Sequence, residues 1–301
     1  MIFLGEKDVE ENLDIGTTIE AVKDGFVEYF KGEAGADPRI RTYAAGAVLN
    51  TMPAFINKYH IAGMKAYIGT RTGAKFVVII FDTQTSEVIA IIEANRLGQL
   101  RTGAVTALAT SLLKEHCSVF TLIGAGFQAE TQLEGILRLM NPEQVRVYSR
   151  TDARGREFSE RMEAKFGREV RYYSNIQEAI GGADVISSIT SAQVPVLTDL
   201  SSLSAFHLNL AGANVLTRRE ASGEVLRSGD LVVVEHLEQA LRESSEITEF
   251  VSGGGKPVEF KDVVGQPERY RGYRRTIFKS MGIGLEDIVT ARYLLKKMGL
   301  I

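Results

Sequence analysis

The sequence predicts an α/β protein: a Rossmann-type doubly wound parallel sheet, joined to a discontinuous α+β domain built from both ends of the chain. Three observations carry this. The apolar run Val119-Phe120-Thr121-Leu122-Ile123 ends in the turn Gly124-Ala125-Gly126-Phe127-Gln128-Ala129 and opens into a helix pattern with Leu133, Ile136, Leu137 and Met140 on one face. From there to about residue 235, strand and helix patterns alternate, which is the mark of a parallel sheet. Before residue 95 the chain instead offers a helix and several β-branched strands, and a last amphipathic helix from Gly284 or Leu285 to Met298 is placed to fold back onto them. The domains expected are therefore 1–112 with 285–301, and 113–284.

With 301 residues, 45% hydrophobic and 24% charged, the chain is long enough for two domains and has an ordinary globular composition. A net charge of -3 and the absence of a Lys/Arg block give no general attraction to nucleic acid or to an anionic membrane. One cysteine, Cys117, makes no internal disulfide, and four scattered histidines show no metal-ligand spacing, so a metal-free cytoplasmic protein is expected. No run reaches membrane-spanning length, and Met1 to Glu6 does not read as a signal peptide.

In chain order, Ile2 to Leu4 reads as a strand and Thr17-Thr18-Ile19-Glu20 as a capping box opening a helix that ends near Gly32. Arg39 to Tyr43, Val48 to Pro53 and Ala62 to Tyr67 read as strands, the first with Arg39 and Arg41 on one side and the third with Lys65 in an apolar setting. Lys75 to Phe81 and Val88 to Ile92 bracket Asp82-Thr83-Gln84-Thr85-Ser86 as a hairpin. Both its strands are apolar on both faces, so the second face is covered either by a partner chain or within the monomer. Leu100-Arg101-Thr102-Gly103 introduces a small-residue helix, with Arg101 and Thr102 at its N-terminus. Later strands are Val145 to Tyr148, Val170 to Tyr173, Asp184 to Thr190, Phe206 to Leu210 and Leu231 to Glu235.

The glycine turn reads as a dinucleotide site. Gly124 allows the sharp turn, Gly126 allows the backbone to approach a pyrophosphate, and Ala129 allows close packing of helix on strand. The phosphates would meet unpaired N–H groups at a helix N-terminus. At the end of the second strand, where a carboxylate would hold the ribose hydroxyls of NAD, stand Ser149, Arg150 and Thr151. They favour NADP(H), with NAD(H) possible if Asp152 does the acidic work one turn later. Thr190 and Ser191 end a strand where ligands of such sheets gather.

The order of motifs Met52-Pro53-Ala54-Phe55, Gly63-Met64-Lys65, Phe81-Asp82, Leu100-Arg101-Thr102-Gly103-Ala104, the glycine turn and Thr276-Ile277-Phe278-Lys279-Ser280-Met281-Gly282 resembles the ornithine cyclodeaminase/mu-crystallin family over nearly the whole chain. That family includes cyclodeaminases, an alanine dehydrogenase, cyclic-imine reductases and mu-crystallin. The resemblance implies a Rossmann domain, a separate substrate and dimerisation domain, and a homodimer. It also implies that Arg39 and Arg101 meet a substrate carboxylate, with Arg41 the alternative to Arg39, that Lys65 stands by the reacting carbon and nitrogen, and that Thr102 touches the cofactor. A guanidinium grips a carboxylate with two prongs, and a desolvated lysine readily gives up a proton.

Two positions depart from the family pattern. Asn50 stands where the cyclodeaminases carry a glutamate, and Gly212-Ala213-Asn214 where a Gly-x-Asp segment supplies an aspartate. An amide orients a substrate but cannot take its proton. The expected activity is thus NADPH-dependent reduction of a cyclic α-imino acid such as pyrroline-2-carboxylate, with Lys65 as proton donor. The alternatives are ornithine cyclodeaminase or alanine dehydrogenase, open if Glu93, Glu235 or Glu286 restores a base, and a nucleotide-holding protein without turnover.

Overall fold

The computed structural model describes residues 1–301 and divides them into two units, Met1–Val105 with Gly282–Ile301 and Thr106–Met281. The first division falls within the helix Asn95–Leu113, and not at 112/113 as the sequence suggested. The side chains explain it. Arg101 pairs with Glu286 and Asp287 of the first unit, whereas Thr106 and Thr110 exchange hydrogen bonds with Gln132 and Asn209 of the second.

The first unit is a seven-stranded sheet of β1 (Ile2–Leu4), β2 (Ala34–Ala36), β3 (Ile40–Ala44), β4 (Ala47–Ile56), β5 (Ile61–Thr70), β6 (Gly73–Asp82) and β7 (Val88–Glu93). Its order is β1-β7-β6-β5-β4-β2, with β3 also on β4; all pairs are antiparallel except β1 with β7. The hairpin between β6 and β7 turns where Asp82 Oδ1 accepts from the N–H of Gln84 at 2.7 Å and Thr85 at 2.9 Å, leaving Ser86 at φ 63°. One sheet face presents Asn50, Met52, Lys65, Val78 and Ile80, all buried, under the helix Gly284–Lys297. That helix also lies along the helix Ile15–Phe30. Close approach requires Gly63, whose added Cβ would meet the Ile79 carbonyl oxygen at 2.3 Å, and Gly284, whose Cβ would meet that of Met52 at 2.2 Å. The other face carries Leu49, Phe55 and Ile68, each about 40–45% exposed (41%, 42% and 45%), beside half-buried Met64, Ile79, Phe81 and Ile91.

Local details depart from the sequence expectations. The helix expected to open at the Thr17 capping box begins at Ile15, because Asp14 caps it by accepting from Thr17 N at 2.8 Å, and a further helix, Glu6–Asn12, precedes it. The strand expected from Arg39 begins at Ile40, so Arg39 lies just outside β3.

The second unit is one parallel sheet of β8 (Val119–Ile123), β9 (Gln144–Tyr148), β10 (Arg171–Tyr173), β11 (Val185–Ser188), β12 (Phe206–Leu210), β13 (Leu231–Val234), β14 (Val258–Glu259) and β15 (Arg275–Lys279). Its order is β10-β9-β8-β11-β12-β15-β13-β14. The chain winds outward from β8 through β9 to β10, then returns to β11 on the other side of β8, which puts the topological switch point beside the glycine turn. The core joins Ile123, Ile186, Leu208, Val232 and Ile277. Under β12 lies a buried polar seam: His207 Nε2 stands 3.0 Å from Asn209 Oδ1 and Nδ1 2.8 Å from Thr276 Oγ1. The Asn209 amide nitrogen donates to Thr110 Oγ1 and Ser187 Oγ, so its oxygen faces His207 as an acceptor and assigns the imidazole proton to Nε2. Burial pushes the His207 pKa down to about 4, which keeps the ring neutral.

Candidate active site

In the first unit a compact charged array forms from four separate segments. Lys65 of β5 is 3% exposed, and its Nζ lies 3.0 Å from Asp287 Oδ1 and 5.1 Å from the centroid of the Phe76 ring. Arg101, 7% exposed, places its NH1 2.7 Å from Glu286 Oε2 and its Nε 3.2 Å from Asp287 Oδ1. Arg39, also buried, donates from NH2 to the Gly282 carbonyl at 3.3 Å. Glu286 and Asp287 occupy the first turn of the helix Gly284–Lys297, where the macrodipole favours ionised carboxylates.

Three buried cations, Arg39, Lys65 and Arg101, thus gather beside the two buried carboxylates Glu286 and Asp287. Burial is the main cause that draws the Lys65 pKa down to about 8; the Asp287 charge opposes it, and Arg101 and Arg39 reinforce it. Two glycines make room for the cationic heads. A Cβ on Gly98 would stand 2.8 Å from Lys65 Nζ, and one on Gly282 would stand 2.1 Å from Arg101 NH1, with Gly282 itself at φ 75°.

In the second unit the glycine turn fits a dinucleotide. Gly124 has φ 116°, and a Cβ there would lie 2.6 Å from the Ile189 carbonyl oxygen. At Gly126 a Cβ would meet nothing within 4 Å, so open space borders the backbone where phosphates would approach. Ala125, Phe127 and Gln128 complete the turn, Phe127 with its ring 63% exposed, and Ala129 begins the helix Ala129–Leu139 fully buried. Past β9, Ser149 is half-buried and Arg150 and Thr151 are exposed. Asp152, the candidate for acidic work, accepts a 2.7 Å hydrogen bond from Tyr172 Oη, whose ring lies under the Arg156 guanidinium.

Thr190 and Ser191 follow β11 in a loop fixed by a carboxylate that the sequence reading missed. Fully buried Glu220 accepts from Ser188 Oγ (2.6 Å), Thr190 N (2.8 Å) and Gly212 N (2.6 Å), tying the ends of β11 and β12 together. A Cβ on Gly212 would collide with the Thr190 carbonyl oxygen at 2.1 Å. Burial raises the Glu220 pKa.

Arg39, Lys65 and Arg101 thus meet in one array, whereas Arg41 is half-buried in β3, cross-strand from Asn50. Asn50 is buried on the Lys65 face of the sheet and donates to Val48 O at 3.2 Å. Asn214 belongs to the second unit, half-buried in the loop after β12. The placing of Arg101 and Thr102 at a helix N-terminus is corrected: the helix starts at Asn95, so both are internal, and the Thr102 hydroxyl donates to Gly98 O at 2.8 Å. The carboxylates named as possible bases are all engaged. Glu93 accepts from Glu6 N at 2.9 Å, Glu235 from Ser280 Oγ at 2.5 Å and Met281 N at 2.7 Å, and Glu286 pairs with Arg101. Burial lifts the Cys117 thiol to about 12, far from a nucleophile. Asp287 was not singled out from the sequence; its signal was an acidic pair opening the last helix, which also serves as ordinary dipole compensation.

Residues 1–299 match the model of the family described as "Ornithine cyclodeaminase/mu-crystallin family". The chain is 32% identical to a Delta(1)-pyrroline-2-carboxylate reductase of Bacillus cereus, over 73% of this chain and 70% of that protein. It is 33% identical to the ketimine reductase mu-crystallin of Mus musculus, over 71% of this chain and 67% of that protein. Among solved structures, Thermococcus litoralis Delta(1)-pyrroline-2-carboxylate reductase in complex with NADH and L-proline superposes with a TM-score of 0.91 at 26% identity, covering 99% of this chain and 97% of that one. No helix here is long and apolar enough to cross a membrane.

Proposed function

Since the chain belongs to the ornithine cyclodeaminase/mu-crystallin family, we propose that it is an NADPH-dependent oxidoreductase that reduces the C=N bond of a cyclic α-imino acid such as pyrroline-2-carboxylate. The observation that carries this is the buried array of Arg39, Lys65 and Arg101, which sets two guanidinium groups beside a lysine whose pKa is drawn down to about 8.

Arg39 and Arg101 grip the substrate carboxylate and Lys65 holds a proton for the imine nitrogen. A reduced nicotinamide held at the glycine turn would supply the hydride from its C4–H bond. At the substrate, the carbon of the C=N bond gains the hydride, the π pair moves onto nitrogen, and the Lys65 Nζ–H bond breaks as a new N–H bond forms. With Lys65 near pKa 8, the ammonium is abundant at neutral pH and still acidic enough to donate. Moving the proton between Lys65 and the imine leaves the total charge of the array and ligand unchanged, so the transfer incurs no penalty for net buried charge.

Cyclodeamination is disfavoured because it needs a base, and Asn50 and Asn214 are amides while Glu93, Glu235 and Glu286 are held by other groups. NADPH is favoured over NADH because Ser149, Arg150 and Thr151 follow β9 and Asp152 is bound to Tyr172. The test is nicotinamide absorbance with a panel of imino and keto acids and each cofactor. Pyrroline-2-carboxylate with NADPH should turn over, ornithine with NADP⁺ should release little ammonia, and Arg150→Ala should erode the preference for NADPH. The opposite substrate ranking would overturn the proposal, and equal efficiency with both cofactors would overturn the cofactor assignment.

A further inference from the structure

Lys65 and Arg101, two cations from different elements, converge on one oxygen. Asp287 Oδ1 is 3.0 Å from Lys65 Nζ and 3.2 Å from Arg101 Nε. We propose that Asp287 is the positioning residue of this site, one carboxylate that fixes the proton donor Lys65 and the carboxylate-gripping Arg101 in a single array and keeps Lys65 charged. This rests on the imine-reductase reading above. Asp287 is fully buried with its Oδ1 taken up by these two cations, and its assigned role is to act through them.

A purely stabilising role explains the arrangement poorly. Taking a lysine, an arginine and two carboxylates out of water costs as much as their attraction returns, and well-packed apolar residues of similar volume often do as well or better. The backbone is shaped for the charged heads, since bare Gly98 lies against Lys65 Nζ and bare Gly282 against the Arg101 guanidinium. Such provision suits a site whose cations must be held in place but remain reactive.

The electrostatics identify what Asp287 contributes. The charged groups facing Lys65 are Asp287 and, through Arg101, Glu286 from the helix Gly284–Lys297, Arg101 from the helix Asn95–Leu113, and Arg39 from the segment before β3. Burial, Arg101 and Arg39 all push the ammonium to lose its proton, and Asp287 pushes the other way by its charge and its hydrogen bond. Without that carboxylate, burial, Arg101 and Arg39 all favour the neutral amine, and a smaller share of Lys65 holds a proton at neutral pH.

The experiment compares wild type, Asp287→Asn and Asp287→Glu with pyrroline-2-carboxylate and NADPH across pH 5.5 to 9.5. In wild type kcat/KM should fall above about pH 8 as Lys65 loses its proton. In Asp287→Asn that limb should move at least about one unit toward acid, so that activity is down about tenfold or more at pH 7.5 and partly recovered at pH 6. KM for the imino acid should rise while the Kd of NADPH stays put. Asp287→Glu keeps the charge and should restore the limb while KM remains raised. A uniform loss at every pH with an unmoved limb would show a merely structural pair and overturn the proposal. Lysine labelled with ¹³C at Cε reports the Lys65 titration by NMR without any turnover, assigned with Lys65→Arg. If wild type reduces no imine, the functional reading fails, and the Lys65 signal still decides the role of Asp287. Should Asp287→Asn not fold, the wild-type and Asp287→Glu signals carry the test: both titrating near pH 8 supports it, and either titrating below 7 or near 10 overturns it.

Discussion

The Nζ of Lys65 stands 2.8 Å from the point where a Cβ on Gly98 would be, so the ammonium rests directly against the helix backbone. Gly98→Ala should therefore displace the ammonium by a fraction of an ångström to an ångström and lower kcat by about 10²-fold. Alanine is favoured over glycine in a helix by about 1 kcal/mol, which offsets the crowding, so the melting temperature should hold. A variant with wild-type kcat would show that the position of Lys65 does not matter to turnover.

Arg101 serves two carboxylates as well as any ligand, and its removal should be felt in both respects. Arg101→Ala leaves Glu286 and Asp287 buried without their guanidinium and should destabilise the fold by about 3–5 kcal/mol. Arg101→Lys should retain more stability but raise KM for the imino acid about tenfold or more, because an ammonium cannot offer two parallel prongs. NADPH affinity should be unaffected in the lysine variant. A loss confined to cofactor binding would show that the arginine has been assigned to the wrong ligand.

His207 should make the second unit acid-sensitive. Its folded pKa of about 4 lies below the ordinary value of 6.5, so the unfolded chain binds the extra proton between these limits and stability increases with pH across that window. The contribution is fully present above pH 6.5 and is lost as pH falls toward 4, amounting to about 3 kcal/mol at most. Urea unfolding of wild type and His207→Gln at several pH values isolates it: the difference between them should slope by one proton over pH 6.5 to 4 and be flat above 7. A flat difference throughout would contradict a buried neutral imidazole.

The open face of the first unit's sheet should be where two copies of the chain meet. Leu49 and Ile68 lie directly opposite each other across β4 and β5, and Phe55 stands on the same face, all substantially exposed on a single chain. Light scattering should give a dimer at micromolar concentration, and Leu49→Glu with Ile68→Glu should give a folded monomer. A wild-type monomer, or a double variant that stays dimeric, would place the interface elsewhere or remove it.

The parts of this architecture that are written locally could be read from residues alone. The turn from Gly124 to Ala129, the hairpin around Asp82 and the anomaly of Lys65 in an apolar strand each rest on near neighbours in sequence. What escaped depends on residues far apart. The helix bearing Arg101 starts at Asn95 because Glu6, 89 and 90 residues away, accepts from the N–H of Asn95 (2.5 Å) and Arg96 (3.0 Å). The pair between Lys65 and Asp287 spans 222 residues, and nothing near Lys65 announces it. Glu220 likewise reads as an ordinary surface carboxylate until the ends of β11 and β12 are seen to close around it.

The helix Gly284–Lys297 completes a sheet whose strands are all translated before residue 94, and this sets an order on biogenesis. Ribosomes deliver Arg39, Lys65 and Arg101 first, then the whole of the second unit, and only afterwards Glu286 and Asp287. During that interval Lys65 and Arg101 wait for Glu286 and Asp287, and the sheet face that carries Lys65 lacks its covering helix. The second unit, contiguous from Thr106 to Met281, suffers no such delay and can fold as soon as it emerges. Nascent chains arrested after residue 281 but before the last helix is free should therefore show a protease-resistant second unit attached to a sensitive first one, with resistance spreading to the first only once residues 284–297 are released.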